Sequence, residues 1–456
     1  VSMKKISIGG GQGFWGDSPD AAIHMIRNAD IQYMGCDYLA ELTLSIMAKQ
    51  QLKDPTKGFA PDFTTRILKE AGKEAWDKHI KICTNAGGMN INGCVDGIRQ
   101  WAEGNSMSGY KIGYVTGDNI KDKIPQLLKD GWTFPNFDYD GNFNDILDKI
   151  YNCNVYIGHE GIEGCLAEGA DVVITGRAAD SALFLAPLKY EFGWAADDWD
   201  NLARGIMAGH LLECAGQVTG GYFADPGYKD VPDLWKLGFP LIEIDETGAF
   251  TVTKVEGSGG LVSVDTCKEQ MIYEIHNPKA YLTPDATADF SKVTFRQIGE
   301  NQVRAEHATT HGRPETLKVS VGYKDCFIGE GEISYGGSNC MARAELAAEI
   351  LEKRIELTGI ELEEYRTDFI GCNSLYRDAI SKEIGSGTPC EVRLRAAGRT
   401  KDRKNAVLLA NEVEALYTNG PAGGGGAVKR VSEIVSVCSI FVPRDAVEAK
   451  VTFREV

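Results

Sequence analysis

One acid–base pair stands out in the sequence, because His210 and Glu213 are three residues apart inside a predicted helix. Residues at this spacing share a helix face, and a carboxylate beside an imidazole orients the ring and raises its basicity. The polar Gln217 follows four residues later. The pattern predicts a general acid–base site. The alternatives are a buried histidine with one hydrogen-bond partner and a shared metal ion, although no second such pair is visible.

Polar side chains also follow several short β-rich runs in the first half of the chain. Asn85 and Asn90 can donate hydrogen bonds to a developing oxyanion, or form a turn that caps a helix. Asp118 is a candidate general base or a helix N-cap. Arg177, two residues after Thr175, can hold a substrate carboxylate or phosphate in a bidentate fork, or pair with a carboxylate nearby in the sequence.

A glycine loop opens the chain. Gly11, Gln12 and Gly13 begin a GxGxxG pattern after the first predicted strand, and Asp37 ends the second, an arrangement typical of dinucleotide binding. Asp17, however, places a carboxylate where a phosphate would bind. Three interpretations follow: an NAD(P) site, a cradle for another anion or carboxylate, and a tight loop before a capped helix.

The elements that must position these residues are strands alternating with helices. The β-rich runs of the first half are KKISI, IQYMG, IKIC, KIGYV, NVYIG and DVVIT. This alternation predicts an α/β fold, with a parallel-sheet domain over residues 1–195. Open α/β sheets bind ligands at the carboxyl ends of their strands. We therefore expect one cleft to be surrounded by Gly11, Asp37, Asn85, Asp118 and Arg177.

The second half has a different pattern, and we predict an α+β domain over residues 196–456. Helices are expected at 199–214, 338–358 and 401–417. The β-like runs are PLIEI, FTVTKV, LVSV, VTFRQI, NQVRAEHA and LKVSVGY. A β-α-β pattern is predicted to end the chain.

Composition excludes several classes of protein. The 456 residues carry a net charge of −17, which argues against a nucleic-acid partner. No apolar stretch has the length of a membrane span. The 12 cysteines form no CxxC pair, so neither a cysteine-rich metal site nor a disulfide framework is expected. With no secretory signal visible, we expect a cytoplasmic protein with reduced thiols.

Long segments spread over the chain resemble the acyclic terpene utilisation AtuA family. They include GGGQGFWGD, TNAGGMN, DVVITGRAADSALFLAPL, AGHLLECAGQVTGGYFADPG and YTNGPAGGGG. The family is associated with the catabolism of branched terpenoid acids through acyl-CoA intermediates. The resemblance implies lyase-type cleavage or hydration of a 3-hydroxy-3-branched glutaryl-CoA. Many members carry a further C-terminal domain, so we expect a separate small subunit of about a hundred residues on a homo-oligomeric core.

Together these observations predict an enzyme of organic-acid or acyl-CoA catabolism. The expected reaction is C–C cleavage or hydration/dehydration of a hydroxylated carboxylate or its CoA thioester. His210 or Asp118 would be the base, Arg177 would hold a carboxylate, and Asn85 would steady the oxyanion. CoA as part of the substrate and a divalent metal are left open as cofactors. The alternatives are an NAD(P)-dependent oxidoreductase and a non-catalytic subunit that binds acyl-CoA or scaffolds a partner.

Overall fold

The computed structural model describes residues 3–135, 138, 141–385, 387 and 389–456. The α-helices are α1 Asp20–Asn28, α2 Glu41–Lys53, α3 Lys73–Asp77, α4 Ile91–Gly104, α5 Ile124–Lys129, α6 Glu160–Ala167, α7 Ala182–Phe192, α8 Trp199–Glu213, α9 Val264–Ile272, α10 Cys340–Thr358, α11 Arg377–Ile384 and α12 Arg403–Asn419. A π-helix at Phe63–Gly72 leads into α3.

The strands are β1 Lys5–Gln12, β2 Tyr33–Cys36, β3 Lys81–Thr84, β4 Lys111–Thr116, β5 Ile150–Val155, β6 Val172–Thr175, β7 Pro240–Asp245, β8 Phe250–Lys254, β9 Tyr281–Leu282, β10 Thr287–Asp289, β11 Thr294–Gly299, β12 Gln302–Glu306, β13 Thr309–Thr310, β14 Thr316–Gly336, β15 Glu364–Ile370, β16 Glu391–Thr400, β17 Gly425–Pro443 and β18 Lys450–Glu455. The predicted helices at 199–214, 338–358 and 401–417 correspond to α8, α10 and α12, with ends shifted by no more than two residues.

A ten-stranded sheet has the order β11-β12-β8-β7-β1-β2-β3-β6-β4-β18. Its strands β1, β2, β3, β6 and β4 pair in parallel, as predicted from five of the β-rich runs. The sixth run, NVYIG, was predicted wrongly. The strand there is β5, which lies outside this sheet and pairs with β14. The LVSV run is also no strand, because Ser263 caps α9 with a hydrogen bond from Thr266 N.

The chain divides into two compact units, Val1–Gly322 with Val437–Val456, and Tyr323–Ser436. This division differs from the predicted boundary at residue 195. Strands β7, β8 and β12 follow that residue, yet they extend the first sheet by antiparallel pairing that begins at β1. Strand β18, near the end of the chain, pairs antiparallel with β4 at the other edge. Strands β7, β8, β11, β12 and β18 therefore complete the first sheet, and the second unit begins only at Tyr323.

The parallel strands are apolar because helices cover both faces of this part of the sheet. All residues of β2 and β6 are buried. The packing against α7 is close enough to require glycine, since a Cβ on Gly35 would lie 2.4 Å from a ring atom of Phe184. Polar residues follow directly after these buried strands, namely Asp37 after β2 and Asn85 after β3.

The second unit is an α+β arrangement, as predicted. Its sheet has the order β15-β16-β14-β17, the split β-α-β pattern with the fourth strand beside the first. Helices α10 and α12 pack against β16, whose residues alternate between buried and partly exposed. On the partly exposed side Arg395 pairs with Glu330 at 2.6 Å, and Arg393 pairs with Glu332. The described residues contain no helix long and apolar enough to cross a membrane.

Candidate functional site

A cavity of about 620 Å³ lies in the first unit, at the carboxyl ends of β1, β2 and β6 and the C-terminal end of α8. Its walls carry six acidic side chains and two basic ones among the described residues: Asp17, Asp37, Glu41, Asp180, Glu213 and Glu274, with Arg177 and Lys318. An edge of this kind is where an open α/β sheet is expected to bind its ligand. Of the predicted site residues, those that line the cavity are Gly13, Asp17, Asp37, Arg177, His210, Glu213 and Gln217.

His210 and Glu213 form a buried pair, as their helical spacing predicts. His210 Nδ1 lies 3.0 Å from Glu213 Oε1, and His210 Nε2 lies 3.2 Å from the carbonyl oxygen of Met271. The ring stacks on Phe290 at 6.0 Å between centroids. The other carboxyl oxygen, Glu213 Oε2, is buried and has no hydrogen-bond partner among the described residues. A buried polar atom without a partner is unusual and needs a reason.

The hydrogen bonds define where the protons of this pair lie. A carbonyl oxygen only accepts, so His210 Nε2 carries a proton and donates it to Met271. One further proton is then shared between Nδ1 and Glu213 Oε1. Burial lowers the pKa of His210 to about 4. Burial, followed by the nearby carboxylates Asp180 and Glu274, raises the pKa of Glu213 well above its usual range. Both shifts favour a neutral imidazole and a protonated Glu213 that donates its hydrogen bond to Nδ1.

Arg177 lies in the cavity wall but its guanidinium is already engaged. It is 1% exposed, pairs with Asp180, and donates to the carbonyl oxygen of Leu39 at 2.6 Å. The guanidinium also lies 4.4 Å from the centre of the Tyr156 ring. Burial acts to lower the pKa of Arg177, but the surrounding acids, first Asp180, raise it overall. The pairing alternative is thus observed, and Arg177 is held in place by the protein itself.

Asn85 does not line the cavity, contrary to its predicted contact with an oxyanion. Its amide nitrogen donates to Asp37 Oδ1 at 2.6 Å, and its oxygen accepts from the backbone N–H of Tyr38 at 2.7 Å. Asn85 therefore positions Asp37, which does line the cavity. Burial and the nearby Asp180 raise the pKa of Asp37 well above its usual range.

Asp118 and Thr175 are likewise behind the wall. Asp118 Oδ2 accepts from the backbone N–H of Arg177 and from Asn154 Nδ2, each at 2.8 Å, so this carboxyl group holds the turn that carries Arg177. Burial raises the pKa of Asp118. Thr175 Oγ1 donates to the carbonyl oxygen of Gly176 at 2.8 Å. Neither residue lines the cavity, although Asp118 was predicted as a base and Thr175 as a substrate-binding residue.

The glycine loop is folded around Asp17. Asp17 Oδ2 accepts from the N–H of Gly13 at 3.0 Å and Oδ1 from that of Ser18 at 2.8 Å. These amides are among those that a pyrophosphate would need, so the loop as it stands does not offer them to a phosphate. Gln12 donates to the carbonyl of Asp17 at 2.9 Å and is buried. Gly11 lies inside the sheet, where a Cβ would be 2.7 Å from Met34 Sδ.

Asn90 caps a helix, which was the alternative to its predicted contact with an oxyanion. Its side-chain oxygen accepts from the N–H of Gly93 at 3.0 Å at the start of α4. Its amide nitrogen donates to the carbonyl oxygen of Lys57 at 2.9 Å. Both ends of this side chain therefore serve the fold.

Comparison with known proteins gives one match. The sequence matches the family described as acyclic terpene utilisation family protein AtuA over residues 6–453, nearly the whole chain. The chain belongs to this family. No curated protein and no solved structure shows significant similarity.

Four residues of this AtuA-family site were missed by the sequence analysis. Tyr156 donates its hydroxyl hydrogen bond to Glu41, and Lys318 lies 3.6 Å from Glu41 and 5.0 Å from the centre of the Tyr156 ring. Glu274 also lines the cavity. Glu41 begins the helix after Asp37, so its place near the site could have been expected. The others come from segments distant in the sequence and give no local signal.

One group of described residues in the AtuA-family chain has the donors for a metal ion, namely His159, Glu160 and Asp285. None of the three lines the cavity. Two of the acids are paired within the protein, because His159 Nδ1 is 2.6 Å from Asp285 Oδ1 and Glu160 pairs with Arg313. The other oxygen, Asp285 Oδ2, is buried and has no hydrogen-bond partner among the described residues. Burial acts to lower the pKa of His159, but Asp285 raises it overall. The group therefore combines ion pairs within the protein with one unpartnered carboxyl oxygen, and it lies apart from the cavity.

Proposed function

We propose that this AtuA-family chain is a lyase that acts on a hydroxylated organic acid or its CoA thioester in the cavity. The observation that carries the proposal is the His210–Glu213 pair, a buried acid with raised pKa beside a neutral imidazole. A group whose pKa is shifted towards neutrality by burial suits proton transfer at neutral pH. The unpartnered Glu213 Oε2 gives the pair one free position for a proton.

The pair can take up a proton without forming an isolated charge on Glu213. When Oε2 accepts a proton from the substrate, the proton on Oε1 passes to His210 Nδ1, and the positive charge forms on the imidazole beside several carboxylates. The reverse transfer returns the proton to the product. In a dehydration, the proton comes from the carbon next to the carbonyl group and leaves with the hydroxyl group as water. In a C–C cleavage, it comes from the hydroxyl group and ends on the carbon released.

Lys318 is the cation best placed to hold the substrate's carboxylate or thioester oxygen. Its side chain is 42% exposed and its nearest acid, Glu41, is 3.6 Å away. Arg177, in contrast, is fully engaged with protein groups, so its role is to position Asp180 and Tyr156. The alternative of an NAD(P)-dependent oxidoreductase has less support. The Asp17 carboxyl group accepts hydrogen bonds from the backbone N–H groups of Gly13 and Ser18, which are then not available to a cofactor phosphate.

The test is turnover of a panel of 3-hydroxy acids and their CoA thioesters by wild type and Glu213→Gln. Glutamine matches the shape of the protonated acid but cannot transfer a proton. We expect it to lower kcat by roughly 10²–10⁴-fold, the range that general acid–base groups supply. The fold should persist, since the amide can still donate to His210. If Glu213→Gln turned over the same substrate at the wild-type rate, the proposed role of the pair would be excluded.

A further inference from the structure

Tyr222 is the most unusual residue in the cavity wall. Its side chain is 89% exposed, yet it lines the cavity, and its backbone φ is 61°. A positive φ is a genuine outlier for a bulky residue, because the Cβ then crowds the backbone. Glycine takes this conformation without that cost. Two glycines precede Tyr222 directly, so the chain places its aromatic ring at a position where glycine would be favoured.

Contacts within the fold do not explain why a tyrosine is there. The backbone on either side is fixed independently of the ring. The N–H of Gly221 donates to the carbonyl oxygen of Gly216 at 2.8 Å, and Phe223 is buried. Among the described residues the ring has one aromatic neighbour, Tyr273, whose ring centre is 6.4 Å away in an edge-on arrangement. An exposed side chain adds little to the core, so the strained backbone at Tyr222 is not offset by folding.

Two further residues at or beside the cavity wall have a backbone in the left-handed region. Glu274, which also lines it, has a φ of 59°, and Ala215, between the cavity-lining Cys214 and Gly216, has a φ of 46°. Such residues cluster at ligand sites, where the strain presents a side chain in a position that an unstrained backbone would not give. The side chain presented here is an aromatic ring at the opening of the cavity.

We propose that the Tyr222 ring is a ligand-binding surface that covers an apolar segment of the ligand at the cavity mouth. The cavity wall also includes apolar side chains, namely Leu39, Leu237, Phe239 and Leu282. Phe14, also in the wall, is 57% exposed. A ligand with a polar reacting end at Glu213 and a hydrocarbon segment that reaches Tyr222 would contact both kinds of wall. This inference rests on the proposed function in using the same cavity, and it concerns binding alone.

The probe is N-phenyl-1-naphthylamine, a neutral apolar fluorophore that a wall rich in carboxylates does not repel. We expect saturable binding to wild type and about tenfold weaker binding to Tyr222→Ala, the effect of losing one aromatic contact. Tyr228→Ala is the matched control, because Tyr228 follows in the same segment, is 88% exposed, and does not line the cavity. Its affinity should stay within twofold of wild type.

A second variant separates binding from stability. Tyr222→Gly removes the strain together with the ring, so its Tm should be equal to or above that of wild type while the probe binds more weakly. A lower Tm would show that Tyr222 serves the fold, and would overturn the proposal. So would unchanged probe affinity in both Tyr222 variants, or no saturable binding by wild type. Glu213→Gln should bind the probe normally, so loss of turnover there and loss of binding at Tyr222 report on different claims.

Discussion

Asp118 provides a direct test of which buried carboxyl groups serve structure and which serve chemistry. Its Oδ2 accepts both the backbone N–H of Arg177 and the Asn154 amide. Asp118→Ala leaves these two buried donors without a partner, at about 1–3 kcal/mol each, so we expect a loss of about 2–6 kcal/mol in the free energy of unfolding. Asp118→Asn keeps an oxygen at the same place and should cost about 1 kcal/mol or less.

Urea unfolding of wild type and the two variants measures these differences, and turnover of any accepted substrate is measured alongside. The structure predicts that Asp118→Asn keeps turnover within a few-fold of wild type, because the carboxyl group lies behind the cavity wall. A fully folded Asp118→Asn variant without turnover would refute this reasoning. It would restore Asp118 as the general base that the sequence first suggested.

Two further predictions concern packing and pH. Gly10→Ala should lower both stability and turnover, because the new Cβ would lie 2.5 Å from the carbonyl oxygen of Leu212 in α8, the helix of the acid–base pair. The control is Gly97→Ala, at an open position of α4. In urea unfolding this variant should be neutral or more stable than wild type by up to about 1 kcal/mol. Asp285 raises the pKa of His159 above 6.5, so the pair's contribution to stability is fully present below pH 6.5 and is lost as the pH rises through the raised pKa. Unfolding of Asp285→Asn at pH 6 and pH 9 should therefore show a smaller alkaline loss than wild type, and an equal loss would contradict the pairing.

The parts of the site that follow from local rules were predictable. Helical spacing places His210 beside Glu213 whatever surrounds the helix. The rule for parallel strands brings the ends of β2, β3, β4 and β6 to one edge, so the proximity of Asp37 to Asn85 and of Asp118 to Arg177 could be expected. The role of each residue could not be predicted. Individual side-chain hydrogen bonds decide which member of each pair faces the cavity, and the sequence does not show them.

The non-local parts had no signal in the sequence. The backbone N–H of Tyr156 donates to the carbonyl oxygen of Lys318 at 3.0 Å, which joins residues 162 positions apart. Tyr156 comes directly after β5, the strand that pairs with β14 and lies outside the large sheet. The sequence of this segment nevertheless resembles the runs that form the parallel strands. The predicted boundary at residue 195 has the same origin. Antiparallel strands that extend a parallel sheet at its edge have the same local sequence pattern as strands that begin a new domain.

The protonation state of Glu213 tests the central claim most directly. Infrared difference spectroscopy of wild type against Glu213→Gln at pH 7 isolates the signal of this one side chain, without any need for a known substrate. A buried protonated acid beside a neutral imidazole predicts a carbonyl stretching band of a carboxylic acid that is present in wild type and absent in the variant. A difference spectrum with carboxylate bands only would mean that Glu213 is ionised at neutral pH, and would contradict the proposed proton-transfer pair.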